Sequence, residues 1–298
     1  MAEKSFVALG ERGLLAVAGE DRRAFLQGLV SNDIEKVSAA RAIYAALLTA
    51  QGKYLHDFFV VALGETLLLD AEAARLADLQ RRLGLYRLRA KVTLAPAAGD
   101  LAVFAAFGRD ALSALDLPKQ PGAAAPFAGG IAFVDPRLAA LGARIVAPSE
   151  RGTAGLRALG FAEAPFASYD RLRLEHGIAD GSRDLIVEKA ILLESGFDEL
   201  NGVDWEKGCY IGQELTARTK YRGLIKKRLM AVRVDGALPP PGTSVMLGGQ
   251  EAGELRSGRD DIALALLRLD AVAAAASGQA LAAGTARLTP IKPDWASF

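Results

Sequence analysis

The residues best able to do chemistry lie in one stretch, Asn201 to Arg228, which reads NGVDWEKGCYIGQELTARTKYRGLIKKR. It holds Cys209, the chain's single cysteine, with Lys207 two residues before it. Gly208 permits an unusual backbone angle, and Tyr210 to Lys220 suits a helix, which puts Cys209 at or near a helix N-terminus. A cationic neighbour and the positive end of a helix both favour thiolate over thiol, as in reactive or metal-competent cysteines. In such a helix Cys209, Gln213, Thr216 and Lys220 share a face, while Ile211 and Leu215 point toward the core. Glu214 and Arg218 are spaced for a helical ion pair with the acid first. A free cysteine is also commonly a small buried hydrophobe, and local features alone leave both readings open.

The rest of the chain limits what that thiol can do. One cysteine excludes an intramolecular disulfide and fits a reducing compartment. With only two histidines, His56 and His176, the chain cannot supply four Cys/His ligands to an iron–sulfur cluster or a zinc ion. No metal site is therefore assigned, and a cluster would need ligands from a second chain or a small thiol. Both histidines read as hydrogen-bonded structural residues. The chain lacks a phosphate-binding loop, a dinucleotide fingerprint and a Gly-x-Ser-x-Gly nucleophile motif.

Charge is nearly balanced, with 36 basic and 35 acidic side chains, so electrostatic function must come from local clusters. One cluster is Arg218, Lys220, Arg222, Lys226, Lys227 and Arg228, with no acid among them; a second is Arg81, Arg82, Arg87, Arg89 and Lys91. A solvated face is the ordinary explanation, and a polycarboxylate or an RNA backbone is the functional one. Few aromatics lie nearby, which disfavours a single-stranded RNA platform. The N-terminus shows no secretory pattern and no stretch is long enough to span a bilayer, so a cytoplasmic protein without membrane partners is expected.

These residues need a scaffold, and hydrophobic patterning supplies one. Leu14–Ala18, Ile43–Leu48, Leu55–Leu63, Thr66–Leu69, Leu101–Phe107, Ile131–Val134 and Arg144–Ala147 read as strands, with a hairpin turn at Gln51-Gly52-Lys53. Asp21–Leu29, Ala71–Leu83, Arg109–Leu115, Glu150–Leu159 and Ser168–His176 read as helices. This mixed order predicts an α+β fold. After about residue 225, Lys227–Val234, Ser244–Leu247, Glu251–Leu255, Ile262–Leu267 and Thr285–Leu288 read as five short strands of a small barrel. The boundary is placed near Leu224, giving an α+β body over 1–224, possibly of two subdomains, and a β-barrel over 225–298.

KGCYIGQELTAR, followed by Tyr221-Arg222-Gly223 and Lys227-Arg228-Leu229, resembles the signature of the YgfZ proteins and their mitochondrial iron–sulfur assembly relatives. Weaker similarity extends over Phe25 to Asp33, Leu48 to Asp57 and Tyr86 to Val92. The resemblance implies a fold like the glycine-cleavage T-protein, a folate-binding body with a C-terminal barrel. It implies tetrahydrofolate as cofactor and a role in maturing 4Fe–4S proteins, including a radical enzyme that thiomethylates tRNA. Cys209 is then the functional thiol, assisted by Lys207. Expected partners are iron–sulfur client or assembly proteins and folate, with tRNA met only indirectly. Tyr169, Asn32, Asp33, Gln213, Glu214 and Arg218 become the expected folate contacts, a ring such as Tyr169 being suited to stack on a pterin. Tyr169 also fits a plain helix-start residue, and Asn32 and Asp33 fit as turn formers.

A non-enzymatic accessory factor is therefore expected. The alternative is a tetrahydrofolate-dependent one-carbon (aminomethyl) transferase with Asp57 as its main polar group. His56-Asp57 stands where the aminomethyltransferase relatives carry paired aspartates, which weighs against that alternative.

Overall fold

The computed structural model of the chain describes residues 4–223 and 225–297. It divides into two compact units, one made of Met1–Leu48, Leu55–Tyr169 and Leu200–Ile211, the other of Thr49–Tyr54, Asp170–Glu199 and Gly212–Phe298. Leu224, the expected boundary, lies outside the described residues. The second unit contains more than a barrel, because the Asp170–Glu199 segment belongs with it.

The first unit is built on two mostly antiparallel sheets. One runs in the order Ile43–Leu48, Tyr54–Leu63, Thr66–Glu72, Arg12–Ala18, Thr93–Pro96. The other runs Ala162–Glu163, Ser5–Ala8, Leu101–Phe107, Ala143–Pro148, Gly130–Val134, Ala124–Phe127. Ile43–Leu48, Tyr54–Leu63 and Gly130–Val134 are near-continuous apolar runs with almost every residue buried, as strands covered on both faces require. Phe6, Phe104, Ile145, Leu156 and Phe161 belong to one core cluster behind the second sheet. Phe59 from the first sheet meets Phe133 from the second at a centroid distance of 6.2 Å.

Pairing overrides local propensity at one place. Ala71–Leu83 reads as a helix, but Ala71 and Glu72 pair with Gly13 and Arg12 and extend the strand. A 3-10 turn at Ala73–Arg75 then leads into a helix, Leu76–Gly84, that buries Leu79 and Leu83. Short strands at Ser5–Ala8, Thr93–Pro96 and Ala124–Phe127 escape pattern reading because each has only four residues.

In the second unit the barrel closes in the order Lys227–Asp235, Ile262–Arg268, Gln250–Arg259, Ser244–Leu247, Leu281–Ala283, Ala286–Ile291. It has six strands where patterning finds five; the missed one, Leu281–Ala283, is three residues long. The alanine-rich run 269–276 is a helix whose Ala271 joins the core with Met230, Leu255 and Leu288. The Asp170–Glu199 segment is tied to the barrel by Arg173, which donates to Asp170 and Asp184 at 2.8 Å each and to Ser257 Oγ at 2.7 Å. Among the described residues no helix is long and apolar enough to cross a membrane.

Candidate functional site

Cys209 is exposed, and so is Gly208 before it, whereas Lys207 and Tyr210 on either side are buried. The thiol thus sits at the tip of a loop with two buried feet. Lys207 makes the first foot: its Nζ donates to the carbonyls of Gln27, Val30 and Asn32 at 2.8, 2.6 and 2.9 Å. It also lies 5.1 Å from the centre of the Tyr210 ring, a cation–π contact that joins the two feet. Burial lowers the Lys207 ammonium to about 8, against the opposing pull of Asp33 and Asp204.

The loop is laced to the Gln27–Asp33 turn along its length. Ser31 Oγ donates to Gly202 O at 2.6 Å, and Asp204 N donates to Ser31 O at 3.0 Å. Asp204 Oδ1 accepts from the amides of Glu206 and Lys207, and its Oδ2 pairs with Lys36. Ile211 N closes the loop on Gly28 O at 3.2 Å. The two sequence segments that carry the resemblance, 25–33 and 201–211, are therefore one structural object.

Two local expectations are corrected. The helix begins at Gln213, not Tyr210, so Cys209 precedes it by four residues and gains no place in its first turn. The reason is Gly212, whose φ of +83° caps the helix and would strain any other residue type. Gly208 does not occupy the left-handed region. Lys207 also does not face its neighbour's sulfur as a free cation, since its donors are taken by three carbonyls. On the Gln213–Tyr221 helix the buried residues are Thr216 and Thr219, with Leu215 only half-buried. Gln213 is half-buried, and the expected Glu214–Arg218 pair forms on the exposed face.

Asn32, Asp33, Asp57 and Tyr169 all fall in the first unit, but their polar atoms serve the chain itself. Asn32 Nδ2 donates to Tyr44 O and Asn201 O at 2.8 and 2.7 Å, and its Oδ1 accepts from Asp33 N. Asp33 Oδ1 accepts from Gln27 Nε2 at 2.8 Å and from Glu35 N at 3.1 Å, capping a 3-10 turn. Asp57 is buried and accepts from the Tyr44 hydroxyl at 2.8 Å, so it is no open acid–base group. Burial, reinforced by Asp57, holds the Tyr44 phenol well above its ordinary range. Tyr169 is buried rather than open at a helix start; its ring packs on Phe107 at 5.6 Å and its hydroxyl lies 3.5 Å from Arg144.

Between Tyr44 and Tyr169 runs a buried charge cluster that sequence reading missed. Asp70 receives Arg12 Nε at 2.6 Å on one oxygen and Arg144 Nη2 at 2.6 Å on the other, a bridge from one sheet to the other. Despite burial, Arg12 and Arg144 hold the Asp70 carboxyl below its ordinary range. Arg144 and Arg137 stack on Phe59 at 4.1 and 4.9 Å, and Arg137 pairs with Asp135 at 2.8 Å. The available signals were charges inside apolar strands, Asp70 in TLLLDA and Arg144 in ARIVA.

His56 is structural as expected: buried, with Nε2 2.9 Å from Asp78, and lowered to about 4 by burial and by Arg75. The basic run 218–228 is not one surface. Arg228 is buried on Leu193 O and Glu199, while Lys227 lines a cleft of about 260 Å³ together with Lys53, Lys189 and Glu194.

The first unit and the barrel have counterparts in known proteins. Residues 226–298 match the family described as CAF17, C-terminal beta-barrel domain. The human mitochondrial iron–sulfur cluster assembly factor IBA57 is 37% identical over 307 residues, covering 96% of this chain and 84% of that protein. Its mouse counterpart is 33% identical over 318 residues with the same coverage. A crystal structure of the glycine cleavage system aminomethyltransferase T from Bartonella henselae superposes with a TM-score of 0.77 over 99% of this chain and 87% of that one. At 17% identity this shows the fold alone, a T-protein-like fold, as expected. The cytoplasmic expectation is overturned, because these relatives are named as mitochondrial proteins. The absence of a secretory pattern selects no compartment. The identity and its extent over both chains place this chain in the family of the iron–sulfur cluster assembly factor IBA57.

Proposed function

We propose that this protein is an accessory factor in assembling or repairing 4Fe–4S proteins, with Cys209 as its working thiol. The observation that carries this reading is an exposed sulfur on a loop fixed by Lys207 and Tyr210, in a chain of this family. A fixed and accessible cysteine sulfur can serve as one ligand to a cluster whose other ligands come from a partner. Shared ligation is required here because His56 is buried and paired and Cys209 is the single cysteine. Radical enzymes that thiomethylate tRNA are included among the clients on the strength of the motif resemblance, and tRNA is met only through them.

Tetrahydrofolate enters the proposal as a ligand to be tested. Three of the six residues expected to hold it, Asn32, Asp33 and Tyr169, are engaged within the chain, while Gln213, Glu214 and Arg218 lie on a helix with Glu214 and Arg218 exposed. No chemical step is assigned to it. Titration with tetrahydrofolate, followed through the fluorescence of Trp205 and Trp295, decides the matter: saturable quenching supports the ligand, and a flat titration removes it.

The assembly role is tested by complementation. In a strain lacking the endogenous protein, 4Fe–4S enzyme activity should be restored by the wild type and not by Cys209→Ala or Cys209→Ser. Full rescue by the alanine variant removes the thiol from the mechanism. Unchanged 4Fe–4S activity in the deletion strain itself removes the assembly role.

A further inference from the structure

One segment of the first unit displays apolar side chains to water in a way the thiol loop does not explain. Leu85, Tyr86 and Leu88 are 66%, 44% and 89% exposed, and they make up three of the six large exposed apolar side chains among the described residues. Isolated exposed leucines are ordinary, whereas a contiguous group on one turn marks a contact surface. Leu88 is also held at a φ of +40°, a conformation unfavourable for a side chain of its size. Such strain persists only where the surroundings impose it.

Those surroundings are the two feet of the turn. It leaves the Leu76–Gly84 helix, anchored by buried Leu79 and Leu83, and Tyr86 N and Arg87 N donate to Leu83 O and Gly84 O at 3.0 and 3.2 Å. It returns through Lys91, whose N donates to the Asp21 carboxylate at 2.7 Å, and through buried Val92. At Gly19 an added Cβ would come within 2.1 Å of Lys91 O, so the chain is pressed against that glycine. The turn is thus an ordered knob, with its apolar tips facing outward.

Its charges are asymmetric. Arg81 and Arg82 pair with Asp78 at 2.6 and 2.7 Å, and Lys91 pairs with Glu20 at 2.8 Å. Arg87 and Arg89, which flank Leu88, are exposed and make no ion pair among the described residues. Two arginines around apolar tips match an acidic rim around an apolar recess. A single aromatic ring is too few for a nucleic-acid stacking platform. Two leucines and two unpaired arginines on a tight turn also lack the long amphipathic face that holds a protein to a membrane.

We propose that Leu85, Tyr86 and Leu88 form a docking knob that enters an apolar recess on a protein partner whose carboxylates pair with Arg87 and Arg89. The surface deepens the assembly reading above, supplying the contact by which a cluster-bearing or cluster-receiving protein is brought to this chain.

The test uses the full chain carrying the photo-crosslinker p-benzoylphenylalanine in place of Leu88, irradiated in cells. The crosslinked protein is identified, purified, and titrated against wild type, Leu85→Ser/Leu88→Ser and Arg87→Glu/Arg89→Glu. The expected result is an acidic partner whose affinity falls at least roughly ten-fold with either variant, at unchanged melting temperature. The arginine variant should also lose most of the salt dependence of binding. The proposal is overturned by no crosslinked protein, by a crosslink to a second copy of this chain or to RNA, or by a partner that binds both variants as wild type. Arginine-dependent co-sedimentation with phosphatidylcholine/phosphatidylglycerol vesicles in place of protein binding overturns it too. Failure here leaves the complementation result intact, so the knob and the assembly role fail separately.

Discussion

Asp70 and Lys207 are both nearly withdrawn from water in the same unit, yet the chain compensates them by different means. Asp70 is gripped by the guanidiniums of Arg12 and Arg144, full charges fixed on strands of two sheets. Lys207 is met by three main-chain carbonyls, partial charges contributed by one turn. The shifts follow: Asp70 is driven further into its charged form, while Lys207 is brought to about 8 and holds its proton less firmly. Ion pairing between sheets builds a permanent joint. Carbonyl solvation of a lysine instead makes a local fastening that holds one loop and can be loosened without opening the core.

The contrast predicts a graded set of effects. Asp70→Asn leaves two buried guanidiniums without their anion and should cost about 3–5 kcal/mol of global stability, read from urea unfolding. A loss below about 1 kcal/mol would show the cluster to be wet and remove the distinction. Lys207→Met leaves three carbonyls without a donor and should cost about 1–3 kcal/mol. Its signature is locality: amide exchange should accelerate over residues 202–211 and little elsewhere, whereas Asp70→Asn should accelerate exchange in both sheets.

A pH series sharpens the lysine side. The unfolded chain holds the Lys207 proton more tightly than the fold does, so the penalty is full below about pH 8 and is relieved as pH rises toward 10.5. The wild type should therefore gain melting temperature relative to Lys207→Met between about pH 7.5 and 9.5. A parallel pair of curves would mean the ammonium is not buried in solution. The smallest effects belong to the loop tip. Gly208→Ala should change stability by no more than about 0.5 kcal/mol, having an ordinary φ and nothing within 4 Å of the added Cβ. Gly212→Ala, forced to +83°, should cost about 1 kcal/mol or more by thermal melting.

Much of the fold was legible because it is written in local pattern. Ile262–Leu267 and Ser244–Leu247 are short apolar runs between turns, and both are barrel strands. The sixth barrel strand, Leu281–Ala283, carries too few residues to leave a period. The thiol loop was legible as a motif, but its mechanics were not. Helix propensity extends back to Tyr210, and only the backbone angle at Gly212 halts it. Lys207 is adjacent in sequence to the thiol, and nothing local says that its ammonium turns to residues 175 to 180 positions away. Asp70 and Arg144 stand 74 residues apart, and each looks alone like an interruption of a strand. The polar residues expected around a ligand, Asn32 and Asp33, proved to be the turn that receives the loop.

Sheet margins carry a last consequence. The barrel is closed, and so has no terminal strand open to hydrogen bonding from outside. Of the four outermost strands in the first unit, Ala162–Glu163 has two residues, Ala124–Phe127 contains Pro126, Thr93–Pro96 ends on a proline, and Ile43–Leu48 is buried along its length and bridged at Leu47 by Val30. Proline offers no N–H to an incoming strand. These margins give a visiting chain little opportunity to add itself as another strand, so the chain is poorly templated for amyloid-like pairing. Recognition at those margins is left to side chains and loops, which discriminate between visitors where a bare backbone would accept many.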